Sequence, residues 1–166
     1  DIQLFSSYYN LASSYLSFGD IDNSLYVINK AYDLAYSFKD MKEDQAKASL
    51  FLVEIDRYKG NIGKAISDCE NLKEQILQLG DSSNVKSDYY RILSELYADI
   101  GSFDGILEES LRECEVNLET YGEKSPNYAI SLLNLSEAYA VCGKREDALE
   151  CKIMALGLLK DIYGRK

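Results

Sequence analysis

Four glycines at a nearly constant spacing are the feature that most constrains how this chain can fold. Gly19, Gly60, Gly101 and Gly143 follow one another at intervals of 41, 41 and 42 residues. A leucine precedes each glycine by eight residues, and a leucine or isoleucine follows it by six: Leu11, Leu52, Leu93 and Leu135 before, and Leu25, Ile66, Leu107 and Leu149 after. A period of this length is typical of a stacked repeat array.

The fourth copy shows most clearly what one repeat contains. Ser125 is a good helix N-cap, and Pro126 suits a first helical turn because its missing N–H would have no partner there. Leu132 and Tyr139 lie seven residues apart, on one face of the helix that follows. Gly143 can adopt the left-handed conformation that ends a helix. The repeat is therefore predicted to be two amphipathic helices joined by a tight turn.

Applied to the whole chain, this pattern predicts an all-α protein. The four repeats are expected at about 3–39, 44–80, 85–122 and 126–164, in a single array over residues 1–166. The second helix of the second repeat is predicted to run over 62–79, followed by a polar loop at 80–84. The chain begins at Asp1 with helical sequence at once, so we expect it to be part of a longer protein.

The residues of the fourth copy resemble the tetratricopeptide repeat (TPR). They are Leu135, Ser136, Tyr139, Gly143, Ala148 and Ala155, at the offsets where that family places Leu, a small residue, Tyr, Gly, Ala and Ala. Residues 121–139, YGEKSPNYAISLLNLSEAY, are similar to the kinesin-light-chain variant, with Ser125 in place of a His, Leu133 of an Asn and Ser136 of an Ala. The resemblance implies a right-handed α-α superhelix (solenoid) of four helix-turn-helix repeats.

Two repeats depart from this pattern. Asp56 stands at the tyrosine position of the second copy. In the third copy, Ile106 and Glu113 stand where small residues are expected, so irregular packing is predicted there. Glu113 also belongs to an acidic run with Glu108, Glu109 and Glu115, and such a run on a helix usually forms a solvated face.

The composition narrows the class of function. The chain has 18 basic and 28 acidic residues, and its net charge of −10 argues against nucleic acid and anionic membranes as partners. It has no histidine, no Gly-rich phosphate loop and no nucleophile motif, so neither an enzyme nor a cofactor site is expected. Its four cysteines form no C-x-x-C pair, which makes a zinc site improbable. Free thiols and the lack of a membrane span or signal peptide favour a cytoplasmic protein.

The candidate binding site is the concave groove that the first helices of stacked pairs line. The residues predicted to contact a partner there are Tyr9, Asn10, Phe51, Glu54, Arg57, Arg91, Glu95, Asn134 and Glu137. By resemblance, Asn10 and Asn134 stand where light-chain-like repeats carry an asparagine that holds a bound peptide backbone. The groove positions include five acids (Glu54, Asp88, Glu95, Asp99, Glu137) and three bases (Lys47, Arg57, Arg91). The leading hypothesis is a protein-interaction scaffold whose partner segment carries basic residues.

Two other functions remain open from the sequence. Similar arrays form the sensing half of regulatory proteins, so this chain is alternatively a domain that binds a small ligand or peptide. The last helix of the chain carries Ile153, Leu156, Leu159 and Ile162, which would be partly bare if nothing packs on them. That helix could therefore mediate self-association into a homo-oligomer.

Overall fold

The computed structural model describes residues 2–80 and 84–164, and it is 83% helical, with no strand among those residues. The chain folds as two compact units, Asp1–Leu79 (unit 1) and Gly80–Lys166 (unit 2). The single array over residues 1–166 therefore stays a prediction. Positions 81–83 of the predicted polar loop lie outside the described residues.

Unit 1 contains the first two repeats. Its helices are α1 (Ile2–Ser17), α2 (Ile21–Tyr36), α3 (Lys42–Tyr58), α4 (Ile62–Asn71) and α5 (Lys73–Leu77). Consecutive helices from α1 to α4 pack against one another. Asp20 caps α2, since its side chain accepts a hydrogen bond from the Asn23 backbone N–H at 3.2 Å. The core is apolar and is built from Phe5, Ala12, Val27, Ile28, Ala31, Ala35, Met41, Ala48, Phe51 and Ile55.

The prediction of one continuous helix over 62–79 is wrong, because the helix is interrupted at Leu72. Leu72 stands twelve residues after its turn glycine, at the position that Ala31 occupies in the first repeat and Ala155 in the fourth. Both alanines are fully buried, whereas Leu72 is half-buried. The Leu72 N–H bonds to the Cys69 carbonyl three residues back, at 3.1 Å, which tightens the turn.

Unit 2 contains the third and fourth repeats. Its helices are α6 (Val85–Asp99), α7 (Phe103–Tyr121), α8 (Pro126–Val141) and α9 (Arg145–Tyr163). Each packs against the next along the chain. The predicted cap of α8 is confirmed, since the Ser125 hydroxyl accepts a hydrogen bond from the Tyr128 N–H at 3.1 Å. A core cluster between α7, α8 and α9 contains Cys114, Leu132, Leu135, Cys151 and Ala155.

The four turn glycines adopt the predicted left-handed conformation, with φ of 76° at Gly19, 79° at Gly60, 71° at Gly101 and 77° at Gly143. The repeat tyrosines Tyr15, Tyr97 and Tyr139 are half-buried. Gly105 of α7 lies directly under the Tyr97 ring, because a Cβ atom added to it would come within 2.6 Å of Tyr97 Cδ2. The third repeat therefore packs its aromatic ring onto a residue without a side chain.

Three of the four cysteines lie on second helices of their repeats and are buried. Cys69, Cys114 and Cys151 are free thiols that act there as small apolar residues. Burial raises the pKa of the Cys114 thiol to about 11 and also raises that of Cys151. Both thiols are therefore protonated at neutral pH and are poor nucleophiles.

Candidate functional site

A cavity of about 190 Å³ in unit 2 brings together four of the predicted site residues. Arg91 and Glu95 reach it from α6, and Asn134 and Glu137 reach it from α8. Glu113 lies on α7, between those two helices in sequence, and lines the same cavity. The remaining lining residues are Ser94, Ala98, Ile106, Ser110, Ala138 and Val141. The structure thus brings these four predicted residues together around one cavity.

Glu113 is the residue at the base of this cavity, and its side chain is only 3% exposed. The expectation that it belongs to a solvated acidic face is therefore wrong. It stands twelve residues after Gly101, at the register position of the fully buried Ala155. Because that position faces the packed interior of the repeat, the carboxylate points inward and needs a partner.

Asn134 supplies that partner. Its side-chain Nδ2 donates to Glu113 Oε1 at 3.0 Å and to Oε2 at 3.3 Å. Burial raises the pKa of Glu113 to about 7, and the hydrogen bond from Asn134 and the positive charge of Arg91 oppose this rise. Asp88 and Glu95 add to it through their negative charge. Glu113 is therefore held near the midpoint of its titration at neutral pH.

Arg91 is the cation of this site, and its guanidinium group already pairs with two carboxylates. Its Nη1 lies 2.8 Å from Glu95 Oε1, and its Nη2 lies 3.9 Å from Asp88 Oδ1. Together with Glu113 and Glu137, the site places four carboxyl groups around one guanidinium. The electrostatic potential at the site is therefore negative, which favours binding of a cationic group.

A second cavity, of about 220 Å³, shares Arg91 and Glu113 with the first. Its other lining residues are Asn84, Ser87, Asp88, Asn117, Asn127 and Ile130. The two cavities form a polar trough along α6 and α8, which we call the unit 2 trough.

Buried polar residues of α7 hold the base of the unit 2 trough in place. Ser110, Glu113 and Asn117 follow one another on one face of α7, and each is 3% exposed. Ser110 shares a 2.8 Å hydrogen bond with the Ser94 hydroxyl, and Asn117 Nδ2 donates to the Ser87 hydroxyl at 2.8 Å. The sequence analysis missed this stripe, although the register position of Glu113 was a signal for it.

In unit 1 the predicted residues separate into buried and accessible ones. Phe51 is 3% exposed and belongs to the core, so the structure assigns it a packing role in place of the predicted partner contact. The Tyr9 ring is half-buried and packs edge-on against the Phe51 ring, with centroids 5.3 Å apart. Both aromatic rings pack into the apolar interior between α1 and α3. Asn10 is exposed, whereas Glu54 and Arg57 are half-buried.

The apolar side chains of α9 are bare to different degrees. Ile153 is 63% exposed and Leu156 is 68% exposed, whereas Leu159 and Ile162 are half-buried. The exposed stripe also includes Leu149, which precedes Ile153 by one turn.

The described residues hold no group of three or more His, Cys, Asp or Glu side chains placed to bind a metal ion. Within the same residues, no helix combines the length and the hydropathy needed to cross a membrane.

Comparison with known proteins gives a likeness in structure alone. No protein-family model and no curated protein sequence matches the chain. Among solved structures, the chain is similar to BtubC (BKLC) from P. vanneervenii, with a TM-score of 0.76 and 20% sequence identity. The match covers 98% of this chain and 66% of BtubC. BtubC is a bacterial protein of the kinesin-light-chain-like, TPR-like type. The predicted fold class is therefore confirmed: the chain has an all-α, TPR-like fold.

Proposed function

We propose that this chain is a protein-interaction scaffold and that the unit 2 trough binds a segment of a partner protein carrying a lysine or arginine. The TPR-like fold supports an interaction role in general. One observation carries the finer proposal: Arg91, Glu95, Asn134 and Glu137 line one cavity whose base is the buried carboxyl group of Glu113.

The chemistry of the trough suggests how the segment is held. A cationic side chain entering the cavity meets Glu95, Glu113 and Glu137, and it replaces water with charge-assisted hydrogen bonds. Asn134 donates to Glu113 through Nδ2, which leaves its Oδ1 to accept a hydrogen bond from a peptide N–H. Asn134 then forms hydrogen bonds both to Glu113 at the base of the cavity and to the main chain of the bound segment.

The affinity is expected to depend on pH and salt. The pKa of Glu113 is raised to about 7, so its carboxyl group gains its negative charge as the pH rises through 7. Binding of a cation should therefore strengthen between about pH 6 and 8. Added salt should weaken binding, because part of the trough is open to solvent and its charges are screened.

Selection from a random 12-residue peptide library tests the proposal. Peptides enriched on the immobilised wild-type chain should share a lysine or arginine at one position. Glu137→Lys reverses an exposed charge at the trough and should lower their affinity at least tenfold. Glu150→Lys makes the same change of charge on the exposed surface of α9, outside the trough, and should leave the affinity within twofold. Equal effects of the two variants would contradict the proposal, as would enriched peptides without a basic residue.

We propose a binding role and no catalytic one, since the chain lacks a histidine and its buried thiols are protonated.

A second function, self-association, is favoured by the exposed apolar residues Leu149, Ile153 and Leu156 of α9. Sedimentation velocity of the wild type and of Ile153→Glu tests it. A concentration-dependent dimer that the substitution abolishes would support self-association, and a wild-type monomer at every concentration would contradict it.

A further inference from the structure

Unit 1 contains a separate cavity, in the repeat where Asp56 stands at the tyrosine position. Its volume is about 460 Å³, and it lies between α2, α3 and α4. Its apolar residues are Leu25, Tyr32, Leu52, Val53, Ile55 and Leu72, and its polar residues are Ser49, Asp56, Lys59, Lys64, Asp68 and Asn71. We call it the unit 1 cavity. None of its residues lines the unit 2 trough.

The register explains why space is open here. In the third repeat, Tyr97 lies four residues before the turn glycine and Gly105 lies four residues after it, and the ring rests on the glycine. In the second repeat the same two positions hold Asp56 and Lys64, and these two side chains also contact each other, through an ion pair. The second repeat therefore lacks the tyrosine ring, and the side chains of Asp56 and Lys64 are narrower than that ring. The space that a ring would fill is left open as part of the cavity.

The charges around the opening are balanced and satisfied. Lys64 pairs with Asp56 and lies 3.0 Å from Asp68, and Asn61 Nδ2 donates to Asp56 Oδ1 at 3.1 Å. With Lys59, the cavity has two carboxylates and two ammonium groups, so it offers no net charge to a ligand. An uncharged occupant is therefore favoured over an ionic one.

The shape and lining of the cavity favour an aromatic occupant. Tyr32 forms part of the wall and stacks on Tyr36, with ring centroids 4.3 Å apart, so the wall presents an aromatic ring. Leu25, Leu52 and Leu72 supply aliphatic contacts for the faces of a flat ring. A benzene molecule fits in an apolar cavity of about 150 Å³, so this volume is ample for a phenol.

We propose that the unit 1 cavity is a binding site for a small, uncharged aromatic molecule of the phenol class. The ring of the ligand occupies the space that the repeat tyrosine fills elsewhere, and its hydroxyl group faces the polar opening. The site is independent of the unit 2 trough, so either one can be refuted while the other stands.

Titration of p-cresol, followed through the methyl signals of Leu25, Leu52 and Leu72 by NMR, tests this site. For a ligand of this size we expect a dissociation constant on the order of 1 mM. Asp56→Tyr restores the repeat tyrosine, fills the cavity and should weaken binding at least tenfold. Glu43→Tyr adds the same ring to α3 away from the cavity and should leave binding within twofold.

A second blocking variant, Leu25→Phe, covers the case in which Asp56→Tyr does not fold, and it should also weaken binding at least tenfold. The proposal is overturned if the methyl signals do not respond to p-cresol up to its solubility limit. It is equally overturned if folded Asp56→Tyr or Leu25→Phe binds p-cresol with wild-type affinity.

Discussion

Replacing Glu113 by glutamine should remove the pH dependence of stability that this buried group causes. The pKa of Glu113 is raised from 4.5 to about 7 because the carboxyl group is buried at the base of the unit 2 trough. Below about pH 4 both the folded and the unfolded chain carry the proton, so Glu113 does not affect the free energy of unfolding. Between pH 4.5 and 7 the unfolded chain releases the proton while the folded chain keeps it, and stability falls.

The size of the loss follows from the two pKa values. A difference of one in pKa corresponds to about 1.4 kcal/mol, so the gap between 4.5 and about 7 amounts to roughly 3 kcal/mol above pH 8. Glutamine cannot ionise, and its Oε1 can still accept the hydrogen bond from Asn134. Glu113→Gln should therefore match the wild type near pH 4.5 and exceed it by up to roughly 3 kcal/mol at pH 8.

Urea denaturation at pH 4.5, 6, 7 and 8 measures this difference. Glu115→Gln is the matched control, since Glu115 lies on α7 and is exposed. Its free energy of unfolding should follow the wild-type curve across the whole range. The reasoning is refuted if Glu113→Gln runs parallel to the wild type from pH 4.5 to 8.

Four substitutions, each checked by chemical denaturation, test the packing. Ser136→Ala should stabilise the chain by about 1 kcal/mol, because the buried Ser136 hydroxyl has no hydrogen-bond partner in the described structure. Ser131→Ala should instead destabilise it by a similar amount, since the Ser131 hydroxyl bonds to the Tyr128 carbonyl at 2.9 Å, and a gain there would contradict this account. Gly105→Ala should lower the free energy of unfolding by about 1 kcal/mol net. The steric clash of the new methyl group with the Tyr97 ring costs more than the gain in helix propensity contributes. Tyr139→Ala should cost about 3 kcal/mol, at the lower end for aromatic truncations because the ring is half-buried; unchanged stability would disprove the repeat register.

Much of the fold was predictable because local signals and the repeat period agree. The turn glycines mark positions where only glycine adopts a positive φ without strain, so their spacing sets the register of every helix. Caps at Asp20 and Ser125 then determine where two of the helices begin. The same register placed Arg91 and Asn134 at one cavity.

The features that were not predicted depend on contacts between distant residues. The acidic run on α7 suggested a solvated face, but Glu113 occupies the register position of a buried alanine, and the position decides. Phe51 fills the interior between α1 and α3, where the repeat register predicted a residue of the binding groove. In each case the side chain differs from the family pattern, and its neighbours determine the outcome.

The central claim, that the unit 2 trough binds a basic residue of a partner segment, is tested most directly by NMR with a pair of matched peptides. One is a library-selected peptide with its lysine, and the other has norleucine in its place, which keeps the aliphatic chain and removes the charge. The lysine peptide should shift the Asn134 side-chain amide signals and bind at least tenfold more tightly than the norleucine peptide. Equal affinities, or signal shifts that leave Asn134 unchanged, would contradict the claim.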